Sequence, residues 1–428
     1  MSFNDYNLSP KLLKSLQKLQ FDKPTSIQEK AIPVGLEGSD IVAQSQTGSG
    51  KTLAFSIPMI QNIKPKAGVQ AIVLTPTREL AVQVTEAIND YSQFTPIKAE
   101  SIYGGVSYDP QIRALKKAEI IVATPGRLID HIDRQNTDFS NVKFVVLDEA
   151  DKMVEMGFLE DTETIIDEIE TNPQIFLFSA TFPEKINYFV DEYLSNPVFI
   201  KTEKFVSNKL LTQNYYKVHG TQKFGLLVHL LEEEDNSIVF CSTRKESDFV
   251  TYNLKKNGVR AKAIHGGHTQ AKRLKSIEHL HDGKISVLVA TDVASRGLDI
   301  KNITKIFNWD IPKAEDDYTH RIGRTARAGE EGEAISFVTD RDKESFNSIQ
   351  RIHKNVINRL KTPKIENLRM IRDESLLKEE KEQRRHYESK KPSKGKKKFN
   401  RNFSKNNFNK SNKFKGKKKK IVNKAIAD

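Results

Sequence analysis

The sequence predicts two α/β domains in succession, each a parallel sheet flanked by helices, followed by a disordered basic tail. Three observations carry this: short β-branched runs alternate with longer amphipathic segments, the alternation occurs in two separate series, and the positive charge gathers at one end. Strands buried on both faces lose the polar alternation of half-exposed ones, so near-continuous Val, Ile and Leu runs read as parallel sheet.

The first series is DIVAQ (40–44), AIVLTP (71–76), EIIVATP (119–125), FVVLDEAD (144–151) and QIFLFSAT (174–181). The second is SIVFCST (237–243), AKAIHG (261–266), ISVLVATD (285–292), KIFNWDIP (305–312) and AISFVTD (334–340). Between them TEKFVSNKLLT mixes charged and polar residues without period. We expect a first domain over 1–202, a linker over 203–212, a second domain over 213–362 and a C-terminal extension over 363–428. The runs IIVATP and VLVATD hold similar places in the two halves, a short echo that hints at duplication.

A chain of 428 residues, 37% hydrophobic, buries large cores. Its single cysteine, Cys241, excludes an internal disulfide and a cysteine-based zinc cluster, and points to a reducing compartment. The start MSFNDYNLSP shows no cationic head before an apolar run, and no stretch of 18 apolar residues is present, so a soluble cytoplasmic protein without membrane contact is expected. The net charge of +13 is local: residues 389–428 hold fifteen Lys and one Arg against Asp428 alone, and the rest carries 53 bases and 55 acids. The body must therefore bind through placed groups. The tail, with Phe399, Phe403, Phe408 and Phe414 among its cations, cannot bury enough to order itself, and its composition suits nonspecific contact with single strands; its plainer role is solvation.

After DIVAQ comes SQTGSGKT (45–52), then a helical pattern. Gly48 and Gly50 let the backbone curl its N–H groups toward an anion at a helix N-terminus, Lys51 reaches terminal phosphates and Thr52 offers a hydroxyl to Mg²⁺. Ser45 stands where the general pattern has its first glycine. VVLDEADKM (145–153) sets Asp148, Glu149 and Asp151 at the end of an apolar run. Alone it reads equally as a solvated strand end or as a site for a divalent cation and an activated water. Beside a phosphate loop, Asp148 takes the magnesium role and Glu149 orients or deprotonates the water.

With QTGSGKT and DEAD in order, the chain resembles the DEAD-box RNA helicases over roughly residues 3 to 360. The resemblance implies two RecA-like domains closing around ATP and RNA, with ATP and Mg²⁺ required. FDKPTSIQ (21–28) is similar to the family's Q motif. It implies Phe21 on adenine, Gln28 on its edge, Thr25 nearby and Phe3 as the upstream aromatic; Gln20 stands where glycine is usual. With Ser45, Gln46, Thr47, Gly48, Ser49, Gly50, Lys51 and Thr52 these form the ATP set, joined from the second domain by Gly297 and Asp299. Pro76, Thr77, Arg78, the pair Gly104–Gly105, and Thr124, Pro125, Gly126 and Arg127 resemble RNA-backbone elements, as do Thr243, Gln270, Arg273 and Thr291. Ser179 and Thr181 in SAT, with Asp151, His320 and Arg321, resemble the groups coupling nucleotide state to RNA, and Arg324 and Arg327 in HRIGRTARAG the arginine fingers. Ala326 replaces the commoner glycine, a small matter if the backbone there is helical. RNA is the implied partner, held sequence-tolerantly by its backbone; ribosomal and RNA-decay proteins are partner classes left open.

Each segment alone has a plainer reading. Arg321, Arg324 and Arg327 recur at three-residue spacing, on one helix face that meets either a triphosphate or solvent. TPTREL and TPGR are ordinary strand-to-helix turns. His265 reads as structural, not as a metal ligand, because no His/Cys/Asp cluster at ligand spacing accompanies it. Joint order along two α/β domains favours an RNA-dependent ATPase that remodels short duplexes. An ATP-gated RNA clamp that scarcely unwinds shares every motif, and a DNA helicase is a more distant rival.

Overall fold

The computed structural model describes residues 2–45, 48–202, 210–231, 236–295, 300, 302–326, 330–353, 356–366 and 368–371. All belong to one compact unit, residues 1–372. Gln46, Thr47, Gly297, Asp299, Arg327, linker residues 203–209 and the tail from 372 lie outside the described residues.

The first half builds strands β1 (Ile41–Gln44), β2 (Ala71–Leu74), β3 (Ala99–Ile102), β4 (Ile120–Ala123), β5 (Phe144–Asp148), β6 (Gln174–Ser179) and β7 (Val198–Lys201). The second builds β8 (Leu211–Lys217), β9 (Ser237–Phe240), β10 (Ala261–Ile264), β11 (Val287–Ala290), β12 (Lys305–Asn308), β13 (Gly332–Val338) and β14 (Asn358–Leu360). The sheet orders are β3-β4-β2-β5-β6-β1-β7 and β10-β11-β9-β12-β13-β8-β14, with parallel pairing. Counting the second sheet from β8 reproduces the first order strand for strand. The echo of IIVATP and VLVATD falls on β4 and β11, equivalent strands of the two sheets.

Burial on both faces explains why the strand runs look unpatterned. Along β2, Ala71 and Val73 join one apolar cluster with Leu12, Phe55 and Ile57, while Ile72 and Leu74 join the other with Leu128, Ile165 and Phe189. The period of two is present, but both faces are apolar. In the second sheet Ile238 and Phe240 face one layer, Val239 and Cys241 the other.

Two expected boundaries move. Leu211 and Thr212 are the first residues of β8, not linker. The segment beyond 362 still packs on the second domain through Ile365, Leu368 and Met370. There Asn253 grips the backbone of Ile371, whose N–H donates to Asn253 Oδ1 at 2.7 Å while Nδ2 donates to the Ile371 carbonyl at 3.2 Å. Among the described residues no helix is long and apolar enough to cross a membrane.

Candidate active site

The loop after β1 runs into a helix, Lys51–Asn62, with Gly48 at φ 80° and Gly50 at φ 91°, left-handed values open to glycine without strain. Two residues of the upstream helix Ser26–Leu36 and its cap brace this loop. Thr25 Oγ1 donates to the Ser49 carbonyl at 2.8 Å and Gln28 Nε2 to the Gly50 carbonyl at 3.0 Å, while Gln28 Oε1 accepts from Thr25 N at 2.9 Å. The amide assigned by resemblance to adenine's edge thus spends its oxygen and one N–H on the chain. Phe21 is exposed, edge-on to Tyr91; Phe3 is packed in the core against Tyr6.

β5 delivers its acids to the mouth of the loop. Asp148 ends the strand, and Lys51 Nζ lies 3.7 Å from its Oδ1, with both side chains buried. Glu149 sits at φ 56°, a left-handed conformation strained for any residue with a Cβ, which caps the helix Ala150–Glu155. Ser45 Oγ, Asp148 Oδ1 and Glu149 Oε2 are buried without a hydrogen-bond partner. Oxygen donors left so, beside a lysine and at a helix N-terminus, fit a phosphate-bound divalent cation. Burial pushes the Asp148 and Glu149 carboxyls above the usual carboxylate range. Lys51 pulls Asp148 back; Arg324, and after it Lys51, pull Glu149 back.

Asp151 turns the other way. Its Oδ2 accepts from Thr181 N at 2.9 Å and Thr181 Oγ1 at 3.0 Å, and its own N–H donates to Ser179 Oγ at 3.2 Å. From the second domain His320 Nε2 approaches the same Oδ2 at 3.9 Å. Burial, with Lys152 close by, pushes the His320 ring down to about 3, against the pull of Asp151.

Arg321 and Arg324 do not share one helix. The helix Glu315–Ile322 carries Arg321 and ends before Arg324. Arg321 is committed inside the second domain: it pairs with Asp292 through Nε at 2.5 Å and Nη2 at 2.7 Å, and Nη1 reaches Asn308 Oδ1 and the Asp310 carbonyl. Arg324 is buried, close enough to Glu149 to be the largest positive influence on it. The expectation of a helical backbone at Ala326 is overturned. Its φ is 53°, which explains why glycine is the commoner residue; Gln20, the other departure, has φ 60° for the same reason.

A third group of residues repeats itself in the two domains. Thr77 caps the helix Arg78–Tyr91 and Thr243 the helix Arg244–Lys256, accepting from Leu80 N and Glu246 N. The Arg78 guanidinium lies against Gly104 and Gly105, and that of Arg244 against Gly266. Pro76 is buried beside Thr77, and Thr124 and Thr291 follow equivalent strands β4 and β11. Arg244 was missed in the sequence, though Thr-Arg recurs in PTREL and CSTRK. Arg127, half-buried, donates to the Val106 carbonyl and stacks over Tyr108, while Gly126 is exposed. Gln270 is buried with both amide atoms unpartnered. Arg273 is spent on Glu79 of the first domain.

The family model described as DEAD/DEAH box helicase matches residues 25–189, and that described as helicase conserved C-terminal domain matches residues 222–329. The DEAD-box ATP-dependent RNA helicase CshA of Bacillus licheniformis is 43% identical over 373 residues, covering 86% of this chain and 76% of that relative. The chain belongs to the DEAD-box RNA helicases. Among solved structures, S. cerevisiae Dbp5 bound to RNA and ADP BeF3 shares 32% identity and a TM-score of 0.77, over 84% of the helicase and 96% of that chain. A DEAD box protein from Methanococcus jannaschii is 42% identical, over 84% and 99%, yet its TM-score is 0.52. The less similar sequence superposes better.

Proposed function

We propose that the protein hydrolyses ATP only when single-stranded RNA draws its two domains together, and that this cycle separates short RNA duplexes and remodels RNA–protein complexes. The observation that supports it most is Arg324 of the second domain buried beside Glu149 of the first, a cation brought to the acid by closure alone.

Lys51 and the loop amides hold phosphate oxygens; Phe21, Thr25 and Gln28 fix the loop from the adenine side, with Phe3 supporting from the core. Asp148 and the Thr52 hydroxyl would hold a magnesium ion, which neutralises charge developing on the phosphates. Glu149 positions the attacking water and takes its proton, and Arg324 offsets charge on the far side. Asp151 ties the loop of Ser179 and Thr181 to His320, so that the state of one domain is felt by the other. Thr77, Arg78, Gly105, Thr124, Thr243, Arg244 and Thr291, arranged alike in both domains, suit one continuous nucleic-acid backbone. The basic tail adds sequence-independent affinity, and the single buried Cys241 suits work in a reducing cytoplasm.

The test is steady-state ATP hydrolysis with and without RNA, run beside separation of a short labelled duplex. Turnover stimulated by RNA together with duplex separation is expected. Turnover indifferent to RNA would defeat the reading, and RNA retained with an ATP analogue but never unwound would favour the clamp.

A further inference from the structure

We propose that Asp248, His265 and His268 form a binding site for one divalent transition-metal ion of the zinc class in the second domain. The sequence reading set His265 aside as a ligand for want of companions, but folding supplies them. Asp248 lies on the helix Arg244–Lys256, His265 directly follows β10, and His268 closes the turn three residues on. One ligand atom from each lies within 4.8 Å of the other two.

The spacings suit such an ion. Asp248 Oδ1 is 2.9 Å from His265 Nε2 and 3.8 Å from His268 Nε2. A tetrahedral zinc with bonds of about 2.0–2.1 Å separates its ligands by roughly 3.3 Å, between these values. The His268 side chain is 8% exposed, and its Nδ1 is buried with no hydrogen-bond partner. Among the described residues no group therefore holds the ring by Nδ1, and an ion on Nε2 would fix its orientation. Two imidazoles and a carboxylate select zinc-like ions over magnesium.

The fold does not require these residues. The duplicated first domain places Tyr103, Val106 and Val82 where the second has His265, His268 and Asp248, on the same turn and helix. The proton inventory also closes. Gly267 N–H donates to His265 Nδ1 at 3.1 Å, so His265 Nε2 carries the proton given to Asp248. An ion on Nε2 moves that proton to Nδ1 and displaces the Gly267 bond, at a turn where Gly266 and Gly267 can reorient. His268 stands two residues before Gln270 and five before Arg273, so the ion would stiffen the turn that leads to the pair with Glu79.

The test uses the full chain without a histidine tag, stripped by chelator, with excess Mg²⁺ and no nucleotide. Co²⁺ is titrated and its visible ligand-field absorption followed, then displaced by Zn²⁺. One equivalent bound is expected, with affinity at least about tenfold weaker in His268→Val, which copies the first domain, and in Asp248→Asn. No Co²⁺ uptake, or uptake unchanged in both variants, overturns the proposal. So does uptake lost in Asp148→Asn instead, which would place the ion at the phosphate loop.

Discussion

Arg273 of the second domain sets its Nη2 2.9 Å from Oε2 of Glu79 in the first, and the glutamate side chain is 1% exposed. A buried acid that meets its cation only across the domain boundary makes closure and charge pairing one event. Replacing Arg273 by Met keeps the bulk and strands Glu79, at a cost of about 3 kcal/mol to the closed arrangement, roughly a hundredfold in its population. The RNA concentration that half-saturates ATP turnover should rise accordingly, with nucleotide affinity in the absence of RNA unchanged. Glu79→Gln in the same chain should recover much of the loss; unchanged RNA dependence in Arg273→Met would show the pair to be a bystander.

Glu149 sets stability against activity. Burial raises its carboxyl, with Arg324 pulling back less than burial pushes. A carboxyl raised in the fold adds stability below its unfolded value of about 4.3, and that stability is lost as pH rises through the folded value. Glu149→Gln should therefore melt higher than wild type at neutral pH without nucleotide, with the gap closing as pH falls toward 4. RNA-stimulated turnover should fall at least about a hundredfold. Calorimetry across pH checks the first, a coupled phosphate assay the second.

Gln20 and Ala326 both occupy left-handed backbone, at φ 60° and 53°. At Gln20 the chain leaves the helix Pro10–Lys18 with Phe21 N bonded back to the Leu16 carbonyl at 3.0 Å, a termination that favours glycine. Gln20→Gly and Ala326→Gly should each stabilise by about 0.5–1 kcal/mol, since the relief of Cβ strain exceeds the added freedom of the unfolded chain. Denaturant midpoints decide it, and a drop in both would mean that the left-handed turns are not what limits stability there.

The same particulars show what the sequence could and could not say. The strand runs were legible because burial on both faces writes itself as unbroken Val and Ile, and the phosphate loop because its chemistry is local. The strands β3 (AESI) and β7 (VFIK), at the sheet edges, and β8 (LTQNYYK) went unread, since polar or exposed strands lack that signature. Arg321 and Arg273 were assigned outward because spacing shows charge but not the partner; Asp292 and Glu79 are supplied by folding, from 29 and 194 residues away along the chain. Ala326 was misjudged because φ is invisible in a one-letter code.

The tail carries all of the net positive charge but, by composition, no site. Removing residues 389–428 should weaken RNA binding and flatten its dependence on salt, because each phosphate neutralised releases condensed counterions, with a slope of about 0.7 per contact on single strands. ATP turnover at saturating RNA should stay as it is. Binding isotherms at several salt concentrations measure the slope; equal slopes would leave the tail as a solvating or protein-binding segment.

His320 offers a pH test of closure. Its Nε2 faces Asp151, its Nδ1 is buried without a partner, and Lys152, Arg324 and Asp317 surround it. In the closed form burial holds its pKa near 3, whereas in an open form it would titrate near its ordinary 6.5. A histidine lowered in this way costs the closed state nothing above 6.5. Below that the open form takes a proton the closed form refuses, so closure weakens by about tenfold for each pH unit until the lower value is reached. RNA-stimulated kcat/KM should fall by about fivefold between pH 6.5 and 5.5, where half the open form is already protonated at the start. The γ-phosphate of ATP titrates in the same range, so the decisive quantity is the difference from His320→Gln, whose profile should lack this limb. Parallel profiles for the two proteins would mean that His320 remains sequestered in the open form as well.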